Sequence, residues 1–245
     1  MQLNFQKTAI VAVIIAGVSL LGAAAVHGKL LADRNANGIT VSGSVKKQVS
    51  SDLAKWSASF SSRAGLTNLK TVLQKNETDR QKIKKFVTDL GIDEKAITFL
   101  PTQTNSIYEQ LPNYGYTQNV IGYNVIQEIK VESNDVAKIE LLGNKLQNIV
   151  ELGLVPDYQR TEYFYTKLDE LRPELFAQAT ADAKNRADAI ARGSKVKVGQ
   201  ILSARTGVVQ VLQPNSIDVS DYGSYDLSTK EKEVFATVSV TFKLK

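Results

Sequence analysis

The sequence predicts an α+β fold, mainly antiparallel sheet with helices packed on one face. Three observations carry that prediction. Segments with apolar–polar alternation occupy both ends of the folded region, at 39–45, 54–60 and 234–244. Apolar residues at helical spacing fill three stretches between them, at 66–90, 134–153 and 173–193. The resulting order is ββαβ then βαβαββ, with strands joined both directly and through helices. A content of 43% apolar and 22% charged residues is ordinary for a globular chain and enough to build a core.

The first element precedes that fold. Ala9 to Val26 carries no charged residue. At about 1.5 Å per residue it reaches roughly 27 Å, close to the hydrocarbon thickness of a bilayer. It has no polar face, which argues against a buried soluble helix. Its length favours an uncleaved signal-anchor over residues 1–28, a single-pass transmembrane helix meeting the lipid bilayer through residues 9–26. The N-terminus then lies in the cytoplasm, and the anchor sits in the inner (cytoplasmic) membrane. Ala23-Ala24-Ala25 also offers an A-x-A cleavage site, and a cut after Ala25 gives a secreted or periplasmic chain instead. Both readings put the folded domain in the periplasm or outside the cell. Residues 29–38 read as a linker ending in turn residues, and 39–245 as the folded domain.

Ile39, Val41 and Val45 alternate with Thr40, Ser42 and Ser44 in the first strand. Gly43 stands where another apolar residue is expected, as at a bulge. Lys46, Lys47 and Gln48 read as a polar connection. Ala54, Trp56, Ala58 and Phe60 then share one face of a second strand. The helix 66–90 follows, with Leu66, Leu69, Leu73, Ile83, Val87 and Leu90 on its apolar side and Gly91 as its terminator. Its other side carries Lys70, Lys75, Lys82, Lys84 and Lys85, a basic face for an anionic surface, with Lys82, Lys84 and Lys85 as the candidate contacts, or simply a solvated one.

Residues 95–104 form a third strand, and Pro101 marks an edge or a break in it. Residues 106–119 read as a loop whose Tyr108, Tyr114 and Tyr116 line a binding surface, cap the sheet or meet a subunit. Ile121, Tyr123, Val125, Ile129 and Val131 give the next strand one apolar face. A helix over 134–153 starts at Ser133 or Asn134 as N-cap and closes near Gly153. After a strand at 155–166 comes the clearest helix. Pro173 suits its first turn, and Leu175, Ala179, Ala183, Ala187 and Ile190 line one side. Strands at 197–212 and 233–244 close the chain, separated by a polar loop read as exposed and mobile.

Some chemistry is excluded by composition. The chain has no cysteine, so disulfides and thiolate sites are absent. His27, its one histidine, follows the apolar segment, which removes a Ser-His-Asp triad and a His-rich zinc site from the folded region. No glycine-rich phosphate loop or G-x-S-x-G elbow occurs. A net charge of +5 without a recognition motif makes nucleic acid a poor partner. The reading is therefore no enzyme, no cofactor and no metal site. A hydrolase built on carboxylates such as Asp52 or Glu162 needs a matched pair in a cleft.

Three spaced signatures carry a family resemblance. Gly43, Val49, Asp52 and Ala54 mark the first strand pair; Ala179, Ala183, Arg186, Ala187 and Ala191 mark the late helix; Gly199 precedes the next strand. Over Ile39 to Lys245 the chain resembles the bacterial SIMPL-domain proteins, relatives of the periplasmic immunogenic protein and of a proposed oxidative-stress-defence protein. Trp56 behind "DLA", with the N-terminal anchor, resembles the membrane-anchored branch. The resemblance implies an envelope location, an α+β domain, a link to envelope or oxidative stress, and self-assembly, since some members form large rings or channel-like oligomers. It supplies no catalytic residue. Two functions follow as expectations: a membrane-anchored, non-enzymatic homo-oligomer, or an extracytoplasmic module binding a small ligand, a glycan or an anionic surface.

Overall fold

The computed structural model describes residues 38–112, 115–216, 220 and 222–245. The apolar segment 9–26, His27, the Ala25 cleavage site, most of the linker and Tyr114 lie outside the described residues. Among the described residues, no helix is long and apolar enough to cross a membrane.

The fold is α+β with antiparallel pairing, as the sequence predicts. Its strands are β1 (Gly38–Ser50), β2 (Leu53–Gly65), β3 (Ile97–Phe99), β4 (Gln103–Gln110), β5 (Tyr116–Ser133), β6 (Tyr158–Phe164), β7 (Val198–Thr206), β8 (Gln210–Leu212) and β9 (Glu231–Leu244). Its helices are α1 (Leu69–Asp89), α2 (Val136–Gly143), α3 (Leu146–Glu151) and α4 (Leu168–Gly193). The strands form two sheets: β1-β9-β7 with β8 beside β9, and β3-β5-β2-β6 with β4 beside β5. The chain divides into two compact units, one of 38–45, Arg172–Val209 and Phe235–Lys245, the other of Lys46–Leu171 and Gln210–Val234.

In the first unit, α4 packs on strand residues of β1 and β9. Leu175, Ala179, Ala183, Ala187 and Ala191 repeat every four residues and are all buried, and the three alanines from 179 to 187 pack with Val41, Val238, Val240 and Phe242. Alanine stripes let a helix approach closely, and Gly43 answers them from the strand. A Cβ on Gly43 would stand 2.1 Å from the Ala179 carbonyl oxygen and 2.3 Å from the Ala183 nitrogen. The missing side chain thus makes room for the helix backbone, a firmer reason than a bulge. Two details of α4 differ from expectation. It begins at Leu168, so Pro173 lies beyond the first turn, and Ile190 is exposed because the buried stripe runs on to Ala191.

The second unit is built on β2 and β5, whose register pairs Trp56 with Val131 and Ala58 with Ile129. This face is covered by Ile83 and Val87 of α1, by Ile139 and Leu142 of α2 and by Ile149 of α3. Trp56 is fully buried, and its indole Nε1 donates to the Gln159 Oε1 at 3.3 Å. Aromatic side chains of this size contribute heavily to core energetics.

Several boundaries moved for local reasons. Lys46, Lys47 and Gln48 lie inside β1, and the reversal falls at Ser51 and Asp52. Leu66 precedes α1 and is exposed, as is Leu73; only the second half of the helix is buried. Gly91 has φ +76°, the left-handed position that ends the helix. The predicted helix 134–153 is two helices. Its N-cap is Asp135, whose carboxylate accepts from the Lys138 amide, while Ser133 Oγ accepts from the Asp135 amide. Pro101 falls at the break between β3 and β4, which lie end to end along β5.

Candidate functional site

The loop expected at 106–119 is mostly strand. β4 pairs antiparallel with β5 from Gln103↔Ile126 to Gln110↔Tyr116, with two register shifts, and the Leu111 amide donates to the Gly115 carbonyl at 2.7 Å. The turn residues Pro112 and Gly115 belong to the tip alone. This hairpin leaves Tyr108, Leu111, Tyr116 and Ile121 exposed, Tyr116 at 70%. β4 has β5 as its strand neighbour on one side and is an edge of its sheet on the other. An exposed edge carrying apolar side chains is a surface that favours pairing with another chain.

Lys82, Lys84 and Lys85 of α1 are each ion-paired. Lys82 lies 3.3 Å from Asp79, Lys84 2.5 Å from Glu94 and Lys85 2.8 Å from Asp89. The ammonium of each pair is at or near the surface, where such pairs contribute little to stability, and each has a carboxylate beside the charge that a polyanion would meet. Among the described residues, no hydrogen bond, ion pair or ring contact joins these lysines to Tyr108 or Tyr116.

The two carboxylates considered for hydrolysis hold structure. Asp52 accepts from the Thr166 amide at 2.8 Å and the Thr166 hydroxyl at 3.0 Å, while Asn134 Nδ2 donates to its carbonyl at 2.9 Å. Glu162 pairs with Arg160 at 2.7 Å. Among the described residues, no group of three His, Cys, Asp or Glu side chains is placed to hold a metal ion.

A buried ionic cluster went unread in the sequence. Lys232 is fully buried, and its ammonium donates to the Asp226 carbonyl at 2.6 Å, the Thr229 carbonyl at 2.7 Å and the Asp226 carboxylate at 3.2 Å. Three donors meet three acceptors. Burial raises the Asp226 carboxyl, but hydrogen bonds from Thr229 and Ser228 outweigh it and hold the group well below the usual carboxylate range. Burial lowers the Lys232 ammonium, and Asp226 opposes that. The periodicity of β9 contains the signal: Lys232 is in phase with the buried Val234, Ala236, Val238 and Val240. The polar loop before it is accordingly anchored in its described part. Tyr225 Oη accepts from the Tyr165 amide and donates to the Tyr165 carbonyl, and the Tyr163 amide donates to the Leu227 carbonyl at 2.9 Å. All three ammonium protons are engaged within the protein, so Lys232 ties a loop to a sheet.

The described residues thus define an α+β domain in which Lys232 and Asp226 are held by internal hydrogen bonds and an edge hairpin exposes apolar side chains. The profile of the SIMPL family, described as a protein of unknown function (DUF541), matches residues 39–242. The chain belongs to the SIMPL family. No curated protein matches it.

Proposed function

We propose that this chain is a non-enzymatic cell-envelope protein, anchored in the inner membrane by residues 9–26, that self-assembles into a homo-oligomer through its SIMPL domain. The β4–β5 hairpin is the observation that carries this reading: an edge strand with Tyr108, Leu111, Tyr116 and Ile121 exposed. Natural sheets protect such edges with charge, proline or cover. β4 itself carries one charged residue, Glu109. Cover by a second copy removes the apolar surface from water. The anchor would hold copies at one height on the membrane, which raises their effective concentration. The other reading, a module for an anionic surface through Lys82, Lys84 and Lys85, is less favoured because all three are already paired. Sedimentation of the full chain extracted in detergent tests the proposal. Discrete species heavier than one chain support it; a single-chain species at every concentration overturns it.

A further inference from the structure

One end of the first unit collects cations. A Cβ on Gly38 would stand 3.1 Å from the Thr241 side chain, and the Thr40 and Thr241 hydroxyls bond at 2.9 Å, so the start of β1 lies beside the end of β9. On its other neighbour, Val198 of β7 pairs with Leu244, and Lys197 and Lys245 exchange backbone hydrogen bonds of 3.0 and 2.8 Å. The turn after α4 leads straight into this pair, with the Val196 amide donating to the Ala191 carbonyl at 3.2 Å. Arg192, Lys195, Lys197, Lys243 and Lys245 therefore share one end of the unit, and all five are exposed.

No acidic side chain answers them. Residues 38–45, 189–205 and 235–245, which build this end, contain no Asp or Glu. The nearest acid along α4, Asp188, pairs with Lys184 at 3.0 Å. Among the described residues, no ion pair reaches any of the five. The α-carboxylate of Lys245 offsets part of the charge and leaves this end cationic. Lys197 and Lys245 stand directly opposite in the ladder, so they leave the same face of the sheet, where like charges repel. Lys243 joins them: a Cβ on Gly199 would stand 3.2 Å from Lys245 Cε and 3.5 Å from Lys243 Cβ. Arg192 and Lys195 complement the dipole at the end of α4, a role the three sheet lysines do not have.

The same end is where the apolar segment joins the fold. Residues 27–37 connect Val26 to Gly38 and, fully extended, reach no more than about 40 Å. We infer that this basic end docks on the anionic phospholipid headgroups of the bilayer that holds residues 9–26. The inference rests on the proposed anchor for proximity, while the contact itself is phosphodiester oxygen with ammonium and guanidinium. Each cation close to an anionic bilayer strengthens such a contact by about fivefold. Lys82, Lys84 and Lys85 differ, because each already has a carboxylate beside it.

The chain has no cysteine, so Ser194→Cys, at an exposed position between Arg192 and Lys195, takes a single fluorophore. The full chain is reconstituted into vesicles of phosphatidylcholine alone or mixed with phosphatidylglycerol, with an energy acceptor on a trace of the headgroups. Energy transfer should be stronger with phosphatidylglycerol and fall toward the neutral-lipid level at about 1 M salt. Combining Lys195→Gln, Lys197→Gln, Lys243→Gln and Lys245→Gln should abolish the gain, whereas combining Lys82→Gln, Lys84→Gln and Lys85→Gln should leave it intact. Equal transfer in the two lipids, or equal loss in both variants, overturns the inference. Should the fourfold variant fail to fold, Lys197→Gln with Lys243→Gln replaces it, and undiminished transfer there overturns the inference. Flotation with neutral vesicles scores the anchor separately. A chain that fails to float there refutes the anchor; transfer to anionic vesicles that depends on the four lysines would still support the contact, and its absence would overturn it.

Discussion

Gly43 and Lys232 show how single positions set this fold. At Gly43 any side chain collides with helix backbone, which cannot swing aside as a side chain can. Gly43→Ala is therefore expected to lower unfolding free energy by about 3 kcal/mol, the upper range for overpacking. Gly193 is the matched control. It is the last residue of α4, and an added Cβ there meets nothing within 4 Å. Gly193→Ala should raise stability by roughly 0.5 kcal/mol through reduced freedom of the unfolded chain. Urea denaturation of both variants measures the contrast.

Asp226 makes the second residue-scale prediction. Its carboxyl is held below its usual range in the folded protein, so the stability it contributes is present above the unfolded value of about 3.9 and is lost as pH falls below it. Chemical denaturation at successive pH values should show wild-type stability declining below about pH 4. Asp226→Asn, already destabilised at neutral pH, should show a shallower decline. A variant with the same acid slope as wild type would contradict the assignment.

At the scale of elements, alternation and helical spacing located nearly every strand and helix. What they missed has physical causes. Lys46 and Lys47 looked like a connection because they are charged, yet β1 continues through them. The hairpin looked like a loop because Pro112 and Gly115 dominate its tip, while its pairing depends on register with β5, a relation local sequence does not contain. The lysines of α1 were legible as a basic face; their partners were not, because Glu94 reaches Lys84 from outside the helix. Replacing Lys82, Lys84 and Lys85 by glutamine should change unfolding free energy by no more than about 1 kcal/mol, as exposed pairs do. Trp56→Ala in the same unit should cost about 3–5 kcal/mol because it empties the centre of the core. Thermal melts of the two variants read that difference directly.

At the scale of the whole molecule, buried polar groups and exposed apolar ones divide the roles. Buried Lys232 and its partner Asp226 are engaged in hydrogen bonds that hold a loop to a sheet, and half-buried Asp52 holds the Thr166 turn. Tyr108, Leu111 and Tyr116 do nothing evident for that fold and remain at the surface of an edge hairpin. The proposed self-assembly through that hairpin would cover them. The most direct test is the mass of the detergent-extracted full chain, compared with a variant carrying Leu111→Asp and Tyr116→Asp. The account predicts that wild type sediments as a defined multiple of the 26.8 kDa chain and that the variant, folded by circular dichroism, sediments as a single chain. A wild-type protein of one chain, or a variant that assembles like wild type, would contradict it.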